Sequence, residues 1–139
     1  WDQADQFAKF KGARLPSESE WEYAARSGGQ SRKYPWGGAA LSESLLVMNT
    51  ETTMPVCSKP DGNTTQGLCD MAGNVRQWVQ DKYQNSYNGA PSDGSAFNGV
   101  SDYWVMRGSC FNSAGYAQDD NYSRGLGFNS ICVGFRLAK

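Results

Sequence analysis

The chain has 139 residues, 39% hydrophobic and 13% aromatic, enough to bury most of its apolar surface as one domain. Its formal net charge is −1 and its basic residues are dispersed, so it carries no electrostatic footprint for nucleic acid or an anionic membrane surface, and no apolar run is long enough to span a bilayer. It contains no histidine, which excludes Ser/His/Asp and Cys/His catalysis, facial-triad iron and ordinary zinc sites.

In chain order, Trp1–Phe10 reads as an amphipathic helix with Trp1, Ala4, Phe7 and Ala8 on one face and Gly12 just past its end. A second helix spans Ser17–Ser27. Ser17 is its N-cap, Glu20 completes a capping box, Trp21, Ala24 and Ala25 form the buried stripe, and Gly28 and Gly29 stop it. From there to Val105 the chain is rich in Gly, Pro, Asn, Ser and Thr. Its apolar islands at Leu45–Met48, Met54–Cys57, Val75–Val79 and Tyr103–Met106 predict short strands or buried turns. VGFRLAK predicts a closing strand. Long irregular loops in a compact domain must satisfy their own backbone groups and are where binding function concentrates.

The four cysteines form no CxxC pair, which argues against a zinc ribbon or a thioredoxin motif. Cys57 and Cys69 flank a turn-rich stretch whose ends can meet. A disulfide there is the favoured reading and implies an oxidising compartment; the competing reading is two half-buried thiols.

The stretches ARLPSESEWEYAARSGG, KYPWG, GLCDMAGNVRQWV, VMRGSCFNS and VGFRLAK, in this order and spacing, resemble the formylglycine-generating-enzyme (sulfatase-modifying factor) domain, a variant of the C-type lectin fold. The resemblance covers residues 1–139 as a single domain. It implies an α+β fold with two helices, small twisted antiparallel sheets and much irregular loop. Because such domains extend upstream of the point where Trp1 falls, it also implies a further N-terminal segment that completes the fold and partners the closing strand.

The family's oxidases use a pair of cysteines with copper. The matching positions here are Asn112 and Ala117, wrong for a soft thiolate site, so neither copper nor iron is expected. An oxidase-like or regulatory domain using Cys110 or Cys132 is the alternative. For calcium, the resemblance carries a structural site onto Asp70, Gly73, Val75 and Gln77, oxygen donors suited to a hard cation. Gln77 departs from the usual Glu there. The competing reading is a turn held by Asp70 alone.

Residues 110–132 fall where one branch of the family, the variable proteins of diversity-generating retroelements, carries its variable region. Adenine-directed mutagenesis in that branch yields a restricted alphabet lacking Glu, Lys, Gln, Met and Trp. Cys110, Phe111, Asn112, Ser113, Gly115, Tyr116, Gly125, Leu126, Gly127, Phe128, Asn129, Ser130, Ile131 and Cys132 all lie within it. Aromatics among Ser, Gly and Asn are also what binding loops use. Phe111, Tyr116, Tyr122 and Phe128 are the expected anchors, with Phe111, Tyr116 and Phe128 expected to share one solvent-facing surface, while Ala117, Gln118, Asp119, Asp120, Ser123 and Arg124 are expected to be fixed scaffold. The implied function is recognition of a protein or other surface ligand, outside the cell, on its surface or on phage.

Overall fold

The computed structural model describes residues 1–113, 124–126 and 130–139, the middle stretch as backbone. Helix α1 spans Asp2–Phe10, with Asp2 and Asp5 in its first turn and Lys9 in its last, each matched to the helix dipole. Ala4 and Ala8 are its buried residues facing the sheet, where they meet Leu15, Trp78 and Met106. Phe7 was expected in this stripe but is exposed, its ring edge-on to Phe135 with centroids 5.7 Å apart. Trp1 instead fills the role, stacking on Trp104 at 3.6 Å and donating Nε1–H to the Val79 carbonyl at 2.7 Å.

Helix α2 spans Glu18–Ala25 and starts with the expected capping box. The Glu20 amide donates to Ser17 Oγ at 3.2 Å and the Ser17 amide to Glu20 Oε2 at 2.9 Å. Trp21 and Ala25 are buried against Met71, Val79 and Val105.

Strands β1 (Arg76–Lys82), β2 (Trp104–Arg107), β3 (Arg124–Leu126) and β4 (Val133–Phe135) form one sheet in the order β3-β2-β1-β4. The β1/β2 and β2/β3 pairs are antiparallel, as expected. The β1/β4 pair is parallel, with Trp78 opposite Phe135, so the sheet is mixed. Parallel neighbours need a crossover in place of a hairpin, and the long path from β1 through β2 and β3 to β4 supplies it. Strand alternation divides the core in two. Trp78 and Met106 point to α1, while Val79 and Val105 point to α2.

The island at Leu45–Met48 is a buried turn, with Leu46 against Ala72 and Val47 against Cys110 and Phe111. Gly73 makes this approach possible: its φ is +76°, and a Cβ there would lie 2.5 Å from the Val47 carbonyl oxygen. The island at Met54–Cys57 was expected to be a strand or a buried turn, but it lies at the surface, with Val56 fully displayed. There the chain is held by the Cys57–Cys69 disulfide and not by apolar burial.

Candidate functional site

Beyond Arg107 the chain leaves β2 through Gly108 and turns inward. The Phe111 amide donates to the Asn74 carbonyl at 2.8 Å, and the Phe111 carbonyl accepts from the Thr50 amide at 3.0 Å. At the far end of the loop the Cys132 carbonyl accepts from the Arg76 amide at 2.8 Å, directly before β4. Cys110 and Cys132 are joined by a disulfide, with Cα atoms 5.5 Å apart and a sequence separation of 22. Both ends of the expected binding loop are therefore bolted to the start of β1 and the end of β2.

This geometry corrects three of the expected contact residues. Phe111 is 3% exposed and packs with Val47 and the disulfide. It plugs the loop base, because its backbone is already committed to the Asn74 and Thr50 hydrogen bonds. Cys110 and Cys132 are bonded to each other and serve as the clamp. Asn112, Ser130 and Ile131 do lie at the surface, Ile131 at 80% exposed, and Ser113 is partly exposed. Gly125 and Leu126 belong to β3, where they pair with Met106 and Val105. Arg124, in the same strand, pairs with Arg107. Gly115, Tyr116, Ala117, Gln118, Asp119, Asp120, Tyr122, Ser123, Gly127, Phe128 and Asn129 lie outside the described residues.

Between the two ends of the loop is a cleft of about 210 Å³, lined by Arg76, Met106, the Cys110–Cys132 disulfide, Asn112, Ser113, Ser130 and Val133. Its floor is sheet and its rim is loop.

At the expected calcium site, Gln77 and the Asp70 carbonyl are engaged by a different cation, Arg136. Gln77 Oε1 accepts from Trp21 Nε1–H at 2.8 Å and from Arg136 Nε–H at 2.6 Å, while its Nε2–H donates to the Asp70 carbonyl at 2.6 Å. The Arg136 Nη2 also donates to the Cys69 carbonyl at 2.9 Å and reaches the Asp70 carbonyl at 3.4 Å. The Asp70 carboxylate turns away to accept from the Cys57 amide at 2.9 Å. The Gly73 amide donates to Ser109 Oγ at 2.9 Å, and the Val75 side chain packs against Gly134. With Gln77 in place of a carboxylate, both lone pairs of its oxygen taken, and a guanidinium among the carbonyls, these residues do not fit a calcium ion. Burial lowers the Arg136 pKa, and the nearby Asp70 charge partly offsets it. Cys57, Cys69 and Asp70 also cluster, but the two sulfurs form the disulfide and are no thiolate ligands.

Two features escaped the sequence reading. The Cys110–Cys132 pairing had a signal, since an even number of cysteines with Cys57 and Cys69 paired leaves these two as partners. Arg76 sat within DMAGNVRQW, a stretch read only for its oxygen ligands.

Comparison with known proteins agrees with this architecture. A family model described as the sulfatase-modifying factor enzyme 1-like domain matches residues 1–139. Serine/threonine-protein kinase Pkn1 of Chlamydia trachomatis is 36% identical over 147 residues, covering 100% of this chain and 23% of that protein. The formylglycine-generating enzyme of Streptomyces coelicolor is 36% identical over 63% of this chain and 32% of its own length. The chain thus spans under a third of these relatives. Among solved structures, PvdO from Pseudomonas aeruginosa superposes with a TM-score of 0.82 at 28% identity, covering 99% of this chain and 58% of that one. Treponema denticola variable protein 1 superposes with a TM-score of 0.72 at 27% identity, covering 90% and 46%. From its full-length match and the fold it shares with these proteins, the chain belongs to the sulfatase-modifying factor enzyme 1-like family, the formylglycine-generating-enzyme domains.

Proposed function

We propose that this domain is a ligand-binding module of the diversity-generating retroelement type, presenting residues 112–131 as its recognition surface. The observation that carries this reading is the clamp at the loop base. Cys110 is bonded to Cys132, Phe111 is buried beneath them, and the exposed Asn112, Ser130 and Ile131 rise from the clamp. Such a base holds a frame still while the side chains beyond it change, which is what a diversified paratope needs. The likeness to a variable protein at 27% identity supports the same reading. An oxidase would need a reactive thiolate, and the two cysteines available to it are spent on each other. The two disulfides support a working environment outside a reducing cytosol.

The test is a displayed library varied at Asn112, Ser113, Ser130 and Ile131. The expected result is protease-resistant folded variants from which binders to unrelated target proteins are selected. Variants that unfold, or a copper-dependent oxidation of a cysteine peptide that disappears in Cys110→Ser, would overturn it. In the genome, a near-repeat of the codons for residues 110–132 differing at adenines beside a reverse transcriptase is the expected companion.

A further inference from the structure

Four other arginines show what this protein does with a guanidinium. Arg14 is forked onto Glu20, Arg26 is paired with Glu22, Arg107 is bound by Glu18 and Glu22, and Arg136 is held by Gln77 and two carbonyls. Arg76 differs. Its Nε, like that of Arg107, is buried without a hydrogen-bond partner, but its guanidinium as a whole makes no hydrogen bond or ion pair among the described residues. A guanidinium with no partner of its own is uncommon in a folded protein and calls for an explanation.

The side chain is also in a telling position. Arg76 opens β1, its amide is tied to the Cys132 carbonyl, and it lines the 210 Å³ cleft between the two ends of the recognition loop. The other described polar residues of that cleft are Asn112, Ser113 and Ser130, neutral groups that can donate to an anion, and none is a carboxylate. Met106 and the disulfide give it an apolar wall. Asn112 and Ser130, both exposed, line the cleft, so a ligand that touches them meets it.

We propose that Arg76 is a specificity residue that receives a carboxylate, the side chain of an Asp or Glu projecting from the bound protein ligand. The guanidinium matches a carboxylate in a planar, two-point geometry that an ammonium cannot copy. The apolar wall accommodates the methylene stem, and the neutral donors satisfy the outer lone pairs. Arg76 lies on the strand and not on the loop, so the guanidinium stays in place while the neutral donors around it vary with the loop. The inference rests on the ligand-binding reading of the loop and names one feature that its partners share.

The experiment uses the oxidised domain, with N-acetyl-aspartate N-methylamide as probe and its asparagine counterpart as control, followed in nitrogen-15 spectra through the Arg76 Nε–H resonance in the unsubstituted protein and, in all variants alike, through the backbone amide resonances of the cleft residues Asn112, Ser113 and Ser130. The expected result is a saturable shift with the aspartate compound only, weakened at least about tenfold in Arg76→Gln and in Arg76→Lys, with unchanged amide dispersion in both variants. An equal response to the two compounds, an undiminished response in Arg76→Gln, or an Arg76 resonance unmoved by either compound overturns the proposal. A response that sulfate competes away at equal concentration overturns it too, since the cleft would then take any anion. None of these outcomes touches the loop-display reading, which the library selection decides.

Discussion

Arg107 and Glu18 lie 89 residues apart in the chain and meet inside it, Nη1 to Oε1 at 3.2 Å, with side chains 2% and 6% exposed. Glu22 takes the other terminal nitrogen at 2.7 Å, and Tyr87 donates its hydroxyl to Glu18 at 3.0 Å. This knot joins the end of β2, where the loop departs, to helix α2. Arg107→Met strips Glu18 of its buried counter-charge and is expected to cost about 3–5 kcal/mol. Urea unfolding at neutral pH measures it. The double variant with Glu18→Gln is expected to recover much of the loss, and full additivity of the two changes would show that they are not coupled.

Stability is expected to fall at acid pH through the capping box of α2. Arg14 forks onto Glu20 with both bonds at 2.6 Å, and that hydrogen bonding holds the Glu20 carboxyl below its ordinary value. A carboxylate whose folded pKa is depressed contributes fully above its unfolded pKa and loses the contribution as pH falls through the folded one. Both side chains are more than a third exposed, at 38% and 39%, so screening limits the effect to about 0.5–1 kcal/mol. Melting temperature followed from pH 7 to pH 3 is expected to decline less in Glu20→Gln than in the unsubstituted protein, and the difference is expected to shrink in high salt.

Calcium and chelator are expected to leave the unfolding midpoint unmoved, because Arg136 already supplies the cation among the carbonyls of residues 69 and 70. Gln77→Leu, in contrast, orphans the Trp21 indole N–H and the Arg136 Nε–H together. Its expected cost is about 1–3 kcal/mol for each donor left unsatisfied. Calorimetry with and without calcium, on both proteins, checks the pair of statements, and a calcium-dependent midpoint in the unsubstituted protein would refute the first.

Removing the loop clamp has a size set by chain statistics. The Cys110–Cys132 bridge closes a separation of 22, and the loop-closure relation assigns it about 3 kcal/mol of stabilisation through the unfolded state. The Cys57–Cys69 bridge closes 12 and is expected to contribute about 0.5 kcal/mol less. Paired Cys→Ser variants compared by denaturant unfolding give the two losses. The first variant is also expected to lose selected binders that the second retains, since only the first frees the base of the recognition surface.

Much of the frame was legible because its signals are local. A Ser17–Glu20 capping box, glycines at Gly28 and Gly29, and the island leading into Trp78 and Val79 each act within a few residues, and all appear in the structure. The signals that failed are those decided by distant partners. Phe7 and Phe111 exchanged their expected places because their burial depends on Phe135 and Val47, which no periodicity reports. The direction of β4 is set by the crossover that precedes it, and VGFRLAK reads the same for either sense. At the expected calcium site Gln77 and Asp70 are in contact, the Gln77 amide donating to the Asp70 carbonyl. Their hydrogen-bond polarity was hidden, because it depends on Arg136 arriving from the far end of the chain.

Strand β3 lies inside the stretch that the family resemblance marks for variation, yet its backbone is paired residue for residue with β2 through Arg124, Gly125 and Leu126. Amide and carbonyl groups are the same on every residue type but one. A segment stitched down by its main chain can therefore accept almost any member of the restricted alphabet without losing its mooring. The exception is proline, which lacks the N–H that a ladder position facing β2 must offer. The strand thus acts as a grammar on the diversity it carries: nearly every word is admitted, and the one that breaks the seam is struck out at the level of folding, before any ligand has been met.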